Sequence, residues 1–257
     1  MLEKTINGIM FNTHAWPPDP AKPTLVFIHG SGNSKSLWAE QVDALSETAN
    51  AVALDLPGHG GSGGDGKNDV GEYAGVVTDF IKSAGIPGPV PCGLSLGGAI
   101  VIRMLIDKKL EYKGGVIMNS GARLKVHPVI FETIKNDYRS FIAMAAKTAV
   151  SEKTEISKIG RVIKDWDSTS PQVVYGDFDS CNKFDAMADI HSISVPVLVI
   201  TSEDDKLTPA RYGIYLAENI KNSKRVHLME CGHLSPLEKP GEVNAALRDY
   251  IKNFLAH

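Results

Sequence analysis

Six short apolar runs punctuate the chain, at residues 24–29, 51–56, 90–94, 115–119, 195–201 and 225–230. Most are rich in Val, Ile and Leu and do not alternate with polar residues, the pattern of parallel strands covered on both faces. Helical patterning fills several of the gaps, at 36–47, 70–84, 98–110 and 209–220. Strands alternating with helices predict an α/β fold with a mostly parallel central sheet flanked by helices. Near the start, residues 4–6 and 9–12 flank Asn7-Gly8, a pair suited to the positive dihedrals of a two-residue hairpin turn. The sheet is therefore expected to open with an antiparallel edge.

The rhythm changes between residues 123 and 194, where helical pattern dominates (129–148 and 152–165) before Pro171, Gly176 and several aspartates break it. That stretch is too long for a simple connection and reads as an inserted helical cap. The expected organisation is a core of residues 1–122 and 195–257 with the cap, 123–194, between its two parts. The glycines of residues 58–66 predict an exposed loop, since they would cost entropy inside a helix or strand. No internal repeat or low-complexity stretch stands out.

Composition narrows the picture. Hydrophobic residues make up 43% and charged residues 22% of 257, values of an ordinary folded protein rather than a disordered one. A net charge of -3, with only short and scattered basic clusters such as Lys108-Lys109 and Lys224-Arg225, offers no field for nucleic acid. No apolar run is long enough to span a bilayer, and Met1 to Gly8 lack the pattern of a secretory signal, so a soluble, cytoplasmic chain is expected. Cys92, Cys181 and Cys231 have no paired spacing and read as buried thiols. The chain does not disclose its oligomeric state.

Gly93-Leu94-Ser95-Leu96-Gly97 lies between an expected strand and an expected helix. A nucleophile elbow needs that context: a strained turn pushes the serine hydroxyl outward, and flanking glycines leave room for the backbone reversal. Gly60-Gly61-Ser62-Gly63-Gly64 fits the same pattern, but no strand ends there and no helix begins, so Ser62 reads as a loop residue. A serine hydroxyl needs a base, and the base needs a partner that orients it. Of eight histidines, His233 sits just past the last expected strand, where a loop returns it toward Ser95. Glu203, Asp204 and Asp205 crowd the end of the strand before it, and either aspartate is also suited to cap the next helix.

In the order Ser95, Asp205, His233, with Phe27-Ile28-His29-Gly30-Ser31-Gly32 after the first parallel strand and Leu54-Asp55-Leu56-Pro57-Gly58-His59-Gly60 after the next, the chain resembles an α/β-hydrolase of the serine esterase type over essentially its whole length. The family's strand-end pattern is Gly-x-x-Asp-x-x-x-Pro. Here Ser202 replaces the glycine, and the spacing to Pro209 selects Asp205 over Asp204. The resemblance implies an oxyanion hole made by the backbone N–H groups of Ser31 and Leu96. It also implies bracing roles for His29 and His59, which belong to the turn motifs. Together these residues imply a serine hydrolase that works through an acyl-enzyme on Ser95.

Phe131, Tyr138, Phe141, Met144, Trp166 and Phe178 are candidates to line an apolar pocket under the cap, or else to pack the cap onto the core. No motif places an Arg or Lys opposite a substrate carboxylate or phosphate, so a small, uncharged, fairly apolar ester is the expected substrate. Lactonase, thioesterase, C–C bond hydrolase and perhydrolase chemistry are open to the same three residues. A serine at the elbow disfavours the reactions of this fold that rely on an aspartate nucleophile. A non-catalytic ligand-binding module is the reading from a different class. No ligand cluster has metal spacing, and no organic cofactor is expected.

Overall fold

The computed structural model describes residues 1–255. Its centre is an eight-stranded sheet in the order β1-β2-β4-β3-β5-β6-β7-β8, built from β1 (Leu2–Ile6), β2 (Ile9–Thr13), β3 (Thr24–Ile28), β4 (Asn50–Leu54), β5 (Pro89–Leu94), β6 (Gly115–Met118), β7 (Val197–Ser202) and β8 (Ser223–Leu228). The pairs β1–β2 and β2–β4 are antiparallel and all others parallel. Asn7 (φ 50°) and Gly8 (φ 79°) make the opening turn, as the Asn-Gly pair predicts.

Alternate residues of the inner strands supply two cores, one on each face of the sheet. On β3, Val26 and Ile28 enter one core, while Leu25 and Phe27 enter the other. The first core is closed by α2 (Val70–Ser83), α3 (Leu96–Asp107) and α8 (Arg211–Asn219). The second is closed by a 3-10 turn, Lys35–Trp38, with α1 (Ala39–Leu45), and by α10 (Pro240–Asn253), which follows the short α9 (Ser235–Glu238). α10 lies outside the helical stretches expected from sequence, although Val243, Leu247 and Tyr250 have helical spacing and are fully buried. Tyr250 ties this helix to the sheet, donating to Pro196 O at 2.8 Å and accepting from Gly115 N at 3.0 Å. β8 departs from the pattern of strands covered on both faces: it is the edge strand, and Lys224 and Arg225 face solvent.

Between β6 and β7 lies the inserted cap: α4 (Pro128–Asn136), α5 (Tyr138–Thr148), α6 (Gly160–Ser168) and α7 (Pro171–Lys183). The expected single helix over 129–148 is two helices. Asp137 breaks it with a non-helical backbone (φ −153°, ψ 79°) and caps α5 by accepting from Ser140 N at 3.1 Å. Pro171 and Gly176, read as helix breakers, both belong to α7. Proline opens the helix where its missing N–H costs nothing. Glycine sits where α7 crosses the core, and a Cβ there would lie 2.8 Å from Lys67 O. No helix among the described residues is long and apolar enough to cross a membrane.

Candidate active site

The turn from β5 into α3 holds Ser95 at φ 57° and ψ −117°, a conformation L-residues rarely adopt. Its neighbours make the turn possible. A Cβ on Gly93 would lie 2.0 Å from Gly97 O, and one on Gly97 would lie 2.2 Å from Ile28 O. Both faces of the Ser95 peptide are pinned: its N–H donates to Met118 O at 3.1 Å, and its carbonyl accepts from Ser120 Oγ at 2.8 Å. Ser62, in the competing glycine run, is a turn brace; it donates to Asp55 O and accepts from Met10 N, both at 2.8 Å.

At the end of β7, Asp205 folds back over its own turn, accepting from Leu207 N and Thr208 N at 2.9 Å and from Thr208 Oγ1 at 2.7 Å. Its Oδ2 lies 2.8 Å from His233 Nδ1. A carboxylate in that position requires the proton on Nδ1, which leaves the Nε2 lone pair free to accept one. Asp204 faces elsewhere and accepts from Ser151 Oγ at 2.5 Å. The loop bearing His233 is held by two residues that the sequence reading passed over. Glu238, buried, accepts from Gly232 N, Leu234 N and Ser151 N at 2.9–3.1 Å. Asn119, at φ 42°, donates to His233 O at 2.9 Å. Ser202, where the family pattern has glycine, exchanges hydrogen bonds with the Asn119 amide and so joins the same brace. Ser95 and His233 line one small cavity of about 50 Å³. No hydrogen bond joins Ser95 Oγ to the imidazole among the described residues; such contacts are often long until substrate is bound.

Across that cavity, the N–H groups of Ser31 and Leu96 have no acceptor among the described residues. Gly30 lies so close to the elbow that a Cβ there would sit 3.3 Å from Ser95 Cβ. The Ser31 carbonyl is fixed by Trp166 Nε1 at 3.1 Å and Asn33 Nδ2 at 2.7 Å. The N–H of the same peptide is also held from the cap, where Asp177 of α7 accepts from Gly32 N at 2.8 Å.

Asp177 is the centre of a fully buried polar cluster. It also accepts from Tyr73 Oη at 2.6 Å and from His59 Nε2 at 2.9 Å. The other ring nitrogen of His59 faces Pro57 O at 3.0 Å, so both donate and the ring is an imidazolium. Burial opposes that charge, but the Asp177 carboxylate outweighs it and raises the pKa. His29, 4.9 Å away between ring centroids, is the neutral partner: Nδ1–H donates to Gly30 O at 2.8 Å and Nε2 accepts from Leu56 N at 3.0 Å. Burial, reinforced by the neighbouring His59 charge, pushes its pKa down to about 3. Neither ring nitrogen of either histidine is spare, so both are braces.

A second cavity, about 270 Å³, opens from Ser95 under the cap. Of the six cap residues picked from sequence, Phe141, Met144 and Phe178 line it, and Trp166 lines the smaller cavity beside His233. Tyr138 stacks behind Phe141 at 5.6 Å and donates to Trp166 O; Phe131 packs edge-on against Tyr175 at 5.1 Å, and neither lines the cavities at Ser95. Lys125, His127, Lys206 and Tyr212, which no motif announces, also line the larger cavity.

Residues 25–246 match the model of the alpha/beta hydrolase family. Among curated proteins, 3-oxoadipate enol-lactonase 2 of Acinetobacter baylyi is 24% identical over 241 residues, covering 91% of this chain and 90% of its own. The pimeloyl-[acyl-carrier protein] methyl ester esterase of a Neisseria meningitidis serogroup B strain is 26% identical over 254 residues, covering 93% and 96%. A solved thermophilic esterase superposes with a TM-score of 0.82 at 28% identity, over 98% of this chain and 97% of its own. These relatives support hydrolase activity on small esters as the coarse description. With the family's model matched over most of its length and the family's sheet and cap in place, the chain belongs to the alpha/beta hydrolase family.

Proposed function

We propose that the protein is a serine hydrolase that cleaves small, fairly apolar carboxylic esters through an acyl-enzyme on Ser95. The observation that carries this reading is the 2.8 Å contact between Asp205 Oδ2 and His233 Nδ1, beside a strained serine that opens into the same cavity. His233 Nε2 takes the hydroxyl proton as Ser95 Oγ attacks the ester carbonyl carbon. The oxyanion is received by the N–H groups of Ser31 and Leu96, at the N-terminal end of α3, where the helix dipole favours negative charge. His233 then gives the proton to the leaving alkoxide, and the C–O bond breaks. Water enters, loses a proton to His233 and attacks the acyl carbon; collapse returns the proton to Ser95 Oγ and frees the carboxylic acid. Asp205 stabilises the imidazolium in both halves.

Lactones follow the same steps with the alcohol still tethered, and the likeness to enol-lactonases supports their inclusion among test substrates. Turnover of short-chain p-nitrophenyl esters by the native protein, and its loss in Ser95→Ala, is the expected result. Undiminished turnover in Ser95→Ala would move the chemistry elsewhere, and no turnover in either would favour a binding module.

A further inference from the structure

No motif places a cation at the site, but the fold brings three basic side chains to the wall of the cavity that holds Ser95. The cavity that holds Ser95 has an apolar body, with Phe141, Met144 and Phe178 among its walls, and its only ionisable side chains other than Tyr212 and Cys181 are Lys125, His127 and Lys206. No aspartate or glutamate among the described residues lines it. In a chain with 30 acidic and 27 basic residues, that bias of sign is local to the site.

The three basic residues reach the cavity from separate elements. Lys125 and His127 lie on the segment between β6 and α4, and Lys206 follows Asp205 on the turn after β7. All three are exposed, so they stand at the solvent side of a cavity whose deep end is the elbow. Lys125 Nζ donates to the Asn182 carbonyl at 3.0 Å, an uncharged partner, and makes no ion pair among the described residues. Lys206 is paired with Glu152 at 2.9 Å, but Glu152 is 89% exposed, and an ion pair in that setting is weak enough to yield to a second anion. A neutral apolar ester would use the body of this cavity and leave its mouth unused.

We infer that the cavity is built for an ester whose far end carries an anion, so that the apolar chain fills the body, the reacting carbonyl meets Ser95, and a carboxylate or comparable anionic group lies among Lys125, His127 and Lys206. The inference rests on the serine hydrolase reading above and refines its substrate from uncharged to negatively terminated.

Three p-nitrophenyl esters of one chain length test it: the monoester of adipic acid (anionic), the hexanoate (neutral) and the 6-aminohexanoate (cationic), each corrected for spontaneous hydrolysis. The expected order of kcat/KM is anionic, neutral, cationic, with the spread narrowing as salt is raised. The double variant Lys125→Ala, Lys206→Ala should lower the anionic-to-cationic ratio by about 10-fold, and Lys125→Arg, Lys206→Arg should preserve it. Equal kcat/KM for the three esters, or a ratio that the alanine pair leaves intact, overturns the anion subsite while hydrolysis by Ser95 stands. Turnover of none of them, with no labelling of Ser95 by a fluorophosphonate, overturns the hydrolase reading and the subsite together.

Discussion

Asp177, on the last cap helix, accepts a hydrogen bond from the backbone N–H of Gly32 at 2.8 Å. One peptide earlier in the chain is the Ser31 N–H proposed for the oxyanion hole, so the cap fixes the loop that would receive the developing charge. Three donors converge on this carboxylate: Gly32 N, His59 Nε2 and Tyr73 Oη. An amide has one acceptor oxygen and cannot serve them all. Asp177→Asn should therefore lower kcat for a p-nitrophenyl ester by about 10- to 100-fold, with a smaller change in KM, because the loop loses its set position. It should also cost about 3 kcal/mol in urea unfolding, since the His59 imidazolium is left buried without its counter-charge. A variant with native kcat would show that the loop holds its place without the cap.

The two adjacent histidines give the stability a pH signature. His29 has a folded pKa of about 3, below its ordinary value of 6.5, so the unfolded chain binds a proton that the folded one refuses between those values. Its contribution is complete above pH 6.5 and is lost on acidification, at about 1.4 kcal/mol per pH unit. Urea titrations at pH 6.5, 5.5 and 4.5 should show His29→Gln losing stability less steeply than the native protein, by close to one proton. His59 has the opposite sign. Its pKa is raised, so its contribution is present below 6.5 and fades as pH climbs through the raised value. The stability gap between the native protein and His59→Gln should narrow as pH is raised through that value; a gap that widens would contradict a charged ring.

Trp166 joins cap to loop by a single bond, Nε1–H to Ser31 O at 3.1 Å. Trp166→Phe keeps an aromatic ring and removes the donor. The loss is about 1 kcal/mol, read as roughly a 5-fold fall in kcat/KM. Full activity in this variant would assign the loop's position to Asn33, Asp177 and Thr169, whose Oγ1 donates to Gly32 O at 3.3 Å.

Two glycines should respond in opposite directions to the same change. On Gly97 a methyl group would sit 2.2 Å from Ile28 O, backbone that cannot give way, and Gly97→Ala should cost about 3 kcal/mol or more, seen as a lowered Tm or insoluble protein. Gly75, inside α2, has nothing within 4 Å of the same position, and Gly75→Ala should stabilise by about 0.5 to 1 kcal/mol.

The features legible from sequence are those carried by neighbours in the chain. The Asn7-Gly8 hairpin, the glycines around Ser95 and the spacing from Asp205 to Pro209 each express a local backbone requirement, and the structure has the turn or contact each one implies. Asp177, Glu238 and Asn119 escaped because their roles arise across separations of up to 145 residues for Asp177, 87 for Glu238 and 116 for Asn119. A buried carboxylate that gathers backbone N–H groups looks, in sequence, like any solvated one. The basic residues of the larger cavity escaped for the same reason, as Lys125 and Lys206 come to line one cavity only once the sheet brings the ends of β6 and β7 side by side. The break at Asp137 was hidden by apolar periodicity that continues through it.

Acylation of Ser95 can be caught by stopping the reaction with a p-nitrophenyl ester after a few turnovers and mapping the adduct by peptide mass spectrometry. One acyl group on the peptide containing Ser95, none in Ser95→Ala, and a slowly decaying adduct in His233→Ala are the expected results. An acyl group on Ser62 or another residue, or sustained turnover by Ser95→Ala with no adduct on the chain, would contradict it.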